Sequence, residues 1–123
     1  MDLRSLLVDL LTLPDSGALD SPVTSLQTDS RQGQPGSLFI GMPGTQVDGG
    51  LFWAKALHSG AVAAIVSPAA FEQTAADRLA WTEQRGEDPC LIVATDVAKV
   101  CAQVAARFYG YPAQRLALAG VTG

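Results

Sequence analysis

The sequence predicts an α/β domain, a sheet covered by helices, and three observations carry that expectation. The runs AVAAIVS (61–67) and CLIVA (90–94) are of strand length and apolar throughout, the pattern of strands buried on both faces. Segments with helical apolar spacing follow each of them. Strands and helices therefore alternate through the last two-thirds of the chain, as in a sheet whose connections return as helices.

Taken in order, residues 3–11 place Leu3, Leu6, Leu7, Leu10 and Leu11 on one helical face, with Asp2 as N-cap and Pro14 and Gly17 as terminators. VTSLQT (23–28) is short and rich in β-branched residues and predicts a strand; SLFIGM (37–42) predicts a second. Asp48 offers an N-cap to the short helix LFWAKALHSG, closed by Gly60. After the strand at 61–67, Pro68 suits the first turn of a helix over about 68–84, ended by Gly86 and the Glu87-Asp88-Pro89 triplet. Thr95 and Asp96 cap a helix carrying Val97, Val100, Cys101, Val104 and Phe108 on one face, stopped by Gly110 and Pro112. RLALAGVTG then reads as a strand entering a glycine turn.

The 123 residues suffice for one domain with its own hydrophobic core. The net charge of −4, with no Lys/Arg cluster, argues against nucleic acid or an anionic membrane as partner. Cys90 and Cys101 lie in apolar runs and read as reduced core thiols, and the single His58 has no company at metal spacing. With no signal-peptide pattern and no span-length apolar stretch, the expectation is a cytosolic protein.

Two segments carry chemistry. In Ala119-Gly120-Val121-Thr122-Gly123 a strand runs into a glycine turn, the way a phosphate-binding loop begins, but without the lysine and Ser/Thr that would complete it. Such an ending suggests the front part of a longer protein, divided at a domain border. The other segment, 28–50, holds six glycines and two prolines. Ser30, Thr45 and Gln46, with loop N–H groups, could serve an acceptor-rich ligand such as a uracil edge or a diphosphate, and Arg31 could donate to a phosphate. Residue chemistry alone leaves a second reading open, an Asp29–Arg31 ion pair within a loop packed on Phe39.

The string TDSR-x₃-PG-x-LFIG-x₂-G-x₃-DG-x₂-F, followed by GAVAAIV and later by RFYGYPAQRLALAGVTG, resembles the N-terminal domain of the Mur ligases that build peptidoglycan. The resemblance implies a three-layer domain with a mixed, mostly parallel sheet over residues 1–112. Residues 113–123 would then be the first strand of a central ATP-binding domain, with Gly123 opening its phosphate loop. It implies an ATP- and Mg²⁺-dependent ligase that adds the third amino acid, meso-diaminopimelate or else L-lysine, to UDP-N-acetylmuramoyl-L-alanyl-D-glutamate. The contacts to the UDP part would be Thr28, Ser30, Thr45, Gln46 and Val47, with the Thr45 hydroxyl standing where some members carry a histidine. The chain by itself should bind neither ATP nor metal and catalyse nothing, acting with the central and C-terminal domains. The rivals are the family member that adds D-Ala-D-Ala, disfavoured by the FYGYP-to-GVTG spacing, and a non-catalytic α/β binding module.

Among the remaining aromatics and cations, Phe52 is expected in the core, and Trp81 has no assigned role. His58 is expected to face water or the helix dipole. Arg107, Phe108, Tyr109 and Tyr111 are expected to pack toward the next domain.

Overall fold

The computed structural model describes residues 2–29, 34–44 and 47–110. Ser30, Arg31, Thr45, Gln46, the border at residue 112, the strand RLALAGVTG and Gly123 lie outside those residues.

Four strands, β1 (Ser25–Gln27), β2 (Ser37–Ile40), β3 (Ala63–Val66) and β4 (Leu91–Val93), form one sheet in the order β1-β2-β3-β4. Neighbours are parallel throughout, with Gln27 opposite Phe39, Phe39 opposite Ala64 and Ile65 opposite Ile92. The predicted α/β class is borne out, and these four strands are more uniform than the mixed sheet expected. Five α-helices accompany them among the described residues: α1 (Leu3–Leu7), α2 (Trp53–His58), α3 (Pro68–Gln73), α4 (Ala75–Arg85) and α5 (Val97–Gly110).

The period-two geometry of a strand divides the core into two clusters. Leu38, Ile40, Ala63, Ile65 and Ile92 point to one face, where they meet Leu3, Leu6 and Leu7 of α1 and Val97, Val100 and Val104 of α5. Phe39, Ala64, Val66 and Leu91 point to the other, against Trp53 and Ala56 of α2, Ala70 of α3 and the partly buried Trp81 of α4. Helix, sheet and helix make the three layers. All four residues of β2 and of β3 are buried, and each large apolar side chain so placed contributes about 1.5–3 kcal/mol.

The helix predicted over 3–11 ends at Leu7. Its start is as expected: the Asp2 carboxylate accepts from Ser5 Oγ at 2.8 Å and from Ser5 N–H at 3.2 Å. Those two bonds, the hydroxyl first, hold the Asp2 carboxyl below its ordinary value. Its end is decided from across the molecule, because Arg107 Nη1 of α5 donates to the carbonyls of Ser5, Leu6 and Val8 at 3.3, 3.2 and 2.7 Å. The guanidinium takes up carbonyls at the helix end, and Asp9 turns away at φ 67°. Leu10 and Leu11 still pack on the aliphatic cluster, but from a turn. Arg107 thus serves the first helix of the chain.

The single helix expected over 68–84 is two. Thr74, at φ −105° and ψ 25°, separates α3 from α4. Its buried hydroxyl donates to Ala70 O at 2.8 Å and accepts from Trp53 Nε1 at 2.9 Å. A tryptophan N–H buried in the core needs such a partner, and the kink supplies it. Asp48 caps the 3-10 turn Gly49–Phe52, and α2 begins only at Trp53, later than expected, while the predicted glycine ends of α2 and α4 and the Asp96 cap of α5 hold. Gly60, at φ +114°, follows Ser59 at the end of α2, and a Cβ there would lie 2.8 Å from Pro35 Cα. Gly86 closes α4 in the left-handed region, and Asp96 Oδ1 accepts from Lys99 N–H at 3.0 Å in the first turn of α5.

Candidate functional site

A parallel sheet has direction, and ligands of open α/β sheets bind at the carboxyl ends of the strands. Here that edge gathers Thr28 and Asp29 after β1, residues 41–44 and 47–48 after β2, Ser67 after β3 and the segment 94–96 after β4.

Among the described residues, the connection after β2 is the most elaborate of these. Gly41 N–H extends the ladder to β3 by donating to Ile65 O at 2.8 Å. The chain then goes out and returns on itself: Pro43 and Asp48 form an antiparallel bridge, Gly49 N–H donates to Met42 O at 2.9 Å, and Gly44 N–H donates to Val47 O at 3.0 Å. At the base the two arms meet through glycines, since a Cβ on Gly41 would lie 2.3 Å from Gly50 Cα. Glycine is required there for the chain to approach itself, which is a different reason from approach to a ligand. Asp48 secures the return. Its Oδ1 accepts from Gly50 N–H at 2.8 Å, its Oδ2 accepts from Ser67 Oγ, and Ser67 Oγ accepts from Ala70 N–H at 3.1 Å at the start of α3.

Of the residues singled out for UDP contact, Thr28 is exposed just beyond β1, and Val47 is 50% exposed in the loop after β2. The sheet register brings both to the same edge, since β1 and β2 are neighbours. Ser30, Thr45 and Gln46 lie outside the described residues, as does Gly123. Arg31 does too, and with it the alternative Asp29–Arg31 pair. Phe39 is buried, in the cluster with Trp53, Ala56 and Ala64. Phe52 is not in the core. It is 46% exposed, and the core position belongs to Trp53, which the 3-10 turn Gly49–Phe52 rotates onto the sheet. Asp48 was legible as a cap; its link to Ser67 was not. The one local signal for Ser67 was its place before Pro68, the pattern of an N-cap followed by proline.

The opposite, amino-terminal edge is shaped differently. A cavity of about 680 Å³ lies beside the start of β4, lined by Pro14, Phe71, Arg78, Leu79, Thr82 and Asp88. A second, of about 380 Å³, is lined by Ala61, Trp81 and Cys90 among others. Both stand at the wrong end of the strands for the ligand position of this fold. Among the described residues no three His, Cys, Asp or Glu side chains come together in a way that could hold a metal ion, and no helix is long and apolar enough to cross a membrane. Both cysteines are free thiols, and burial raises the Cys90 and Cys101 thiols above their ordinary value.

A parallel sheet between two layers of helices, with a glycine-based loop at its carboxyl edge, defines a three-layer α/β domain. The family profile described as "Mur ligase family, catalytic domain" matches residues 22–109, and the chain belongs to the Mur ligase family. Over its whole length it is 48% identical to the UDP-N-acetylmuramoyl-L-alanyl-D-glutamate–2,6-diaminopimelate ligase of Synechococcus elongatus, covering 24% of that protein. It is 46% identical over its whole length to the ligase of the same name from Thermosynechococcus vestitus, covering 23% of it. Across 86% of the chain it is 51% identical to the namesake from Synechocystis sp., covering 19% of it. The chain thus spans about a quarter or less of the length of these curated relatives.

Proposed function

We propose that these residues form the UDP-substrate-binding domain of a cytoplasmic ligase that joins 2,6-diaminopimelate to UDP-N-acetylmuramoyl-L-alanyl-D-glutamate in peptidoglycan synthesis. The observation that carries the reading is the 48% identity, across the whole chain, to a ligase whose name states both substrates. The carboxyl edge of the sheet is the physical place for the UDP part, with Thr28, Ser30, Thr45, Gln46 and Val47 as its contacts. On this reading residues 113–123 lead into an ATP-binding unit, Gly123 being the first glycine of its phosphate loop. ATP and Mg²⁺ belong to the complete enzyme, and none of their chemistry falls on the described residues.

The domain's contribution is positional. Binding energy from the UDP part, remote from the reacting carboxylate, holds that carboxylate where the rest of the enzyme can act on it. The 123-residue chain should therefore bind UDP weakly and catalyse nothing. Titration with UDP, by calorimetry or ligand-observed NMR, should give a measurable affinity that Ser30→Ala lowers. A folded chain that makes no contact with UDP would refute the assignment, and an unchanged affinity in Ser30→Ala would remove that serine from the site.

A further inference from the structure

We infer that Asp48 is a positioning residue for UDP: through Ser67 it clips the loop after β2 to the start of α3 and so fixes where Val47 meets the ligand. The inference rests on the function proposed above and adds to it a residue with no ligand contact of its own.

The geometry is a directed chain of hydrogen bonds. Ala70 N–H donates to Ser67 Oγ, the single Ser67 hydroxyl proton goes to Asp48 Oδ2, and Asp48 Oδ1 receives Gly50 N–H. Both carboxylate oxygens are thereby engaged within the protein, across a separation of 19 residues between Asp48 and Ser67. The carboxylate is thus used inward and not offered to a diphosphate, which it would repel. The seat beneath is close: a Cβ on Gly50 would lie 3.0 Å from Ala70 Cβ and 3.2 Å from Val66 Cβ. Asp48 immediately follows Val47 in the chain and pairs across the loop with Pro43. A shift of Asp48 therefore moves both arms of the loop at the sheet edge. Charge-assisted bonds of this kind are short and strong enough to fix one loop position out of several.

Two substitutions at Ser67 separate this role from simple capping of α3. Ser67→Asn and Ser67→Asp both keep a good N-cap acceptor for Ala70 N–H. The new carboxamide can also donate to Asp48, whereas the new carboxylate repels it. Ser67→Asp should weaken UDP binding by about tenfold or more, as expected for like charges forced together, while Ser67→Asn stays within about threefold of the parent chain. Amide exchange at Gly49 and Gly50 should accelerate in Ser67→Asp, with Ile65 in β3 unchanged. Adding Asp48→Asn to Ser67→Asp should recover the affinity, because a donor then faces the new carboxylate. If Gly49 and Gly50 lose protection but the UDP affinity of Ser67→Asp equals that of the parent chain, the positioning role is overturned and the functional reading stands. Unchanged protection of those two amides in Ser67→Asp overturns the clip itself. A folded parent chain that fails to bind UDP overturns the functional reading and this inference together.

Discussion

The two faces of the sheet are held by different physics. Under α1 and α5 the contact is aliphatic: Leu3, Leu6, Leu7, Leu38, Ile40, Ile65, Ile92 and three valines of α5 interlock without direction. Under α2, α3 and α4 the contact is aromatic and small, with Phe39, Trp53 and Trp81 spaced by alanines. There orientation matters. The rings of Trp53 and Trp81 meet edge-on with centroids 5.7 Å apart, Arg85 lies 3.9 Å over Trp81, and Arg78 lies 3.8 Å over Phe71. Many nondirectional contacts tolerate exchange among residues of similar volume, while a few directed ones depend on each partner. The turn Gly49–Phe52 that follows the β2 loop rests on the directed face, Gly50 lying against Val66 and Ala70.

The contrast is open to test, first where it should be widest. Trp53→Ala should cost about 3–5 kcal/mol and Leu6→Ala about 2–5 kcal/mol, measured by denaturant unfolding. Trp53→Phe should recover little of the first loss if direction matters, because the N–H partner of Thr74 stays missing, whereas Leu6→Met should recover most of the second. Equal recovery on both faces would erase the distinction. Next, Thr74→Val keeps the volume and leaves the Trp53 N–H unpaired in the core, at a cost of about 1–3 kcal/mol, while Thr74→Ser should retain most of the stability. The smallest effect belongs to the aliphatic face. Asp2 has a folded-state carboxyl value below its ordinary one, so its contribution is present above that ordinary value and disappears as pH falls through the lowered one. Unfolding curves of the parent chain and Asp2→Ala should accordingly differ near neutrality and converge in strong acid; a gap that persists there would show that the carboxylate is not its source.

The same contrast explains what could be read from the letters alone. β3 and β4 were legible as strands because apolar runs such as AVAAIVS declare themselves without a partner, although Val93 of the edge strand β4 is exposed and not buried as expected. The helix of residues 97–110 was legible from its valine spacing and its Asp96 cap. The break at Thr74 was not, because its cause is a tryptophan 21 residues away. The early stop of α1 was hidden for the same reason, its donor Arg107 lying about a hundred residues further on. Leucine spacing correctly reported that Leu10 and Leu11 are covered, which is a statement about burial and not about helix. At the site, the glycine-rich composition pointed to the loop, but Gly41 and Gly50 serve contact of the backbone with itself. Motif resemblance pointed to Thr28 and Val47, which the neighbouring strands β1 and β2 set at one edge of the sheet. The Asp48–Ser67 pair follows from a parallel sheet bringing two strand ends together, which no local pattern records.

The bond from Arg107 to the carbonyls of Ser5, Leu6 and Val8 has a consequence for biogenesis. A ribosome delivers the amino end first, so the opening helix emerges long before the guanidinium that closes it. Until the final described helix leaves the exit tunnel, those leucines lack both their lid and their clasp. Completion of this domain therefore waits on the emergence of α5, and Arg107 governs when the beginning becomes secure.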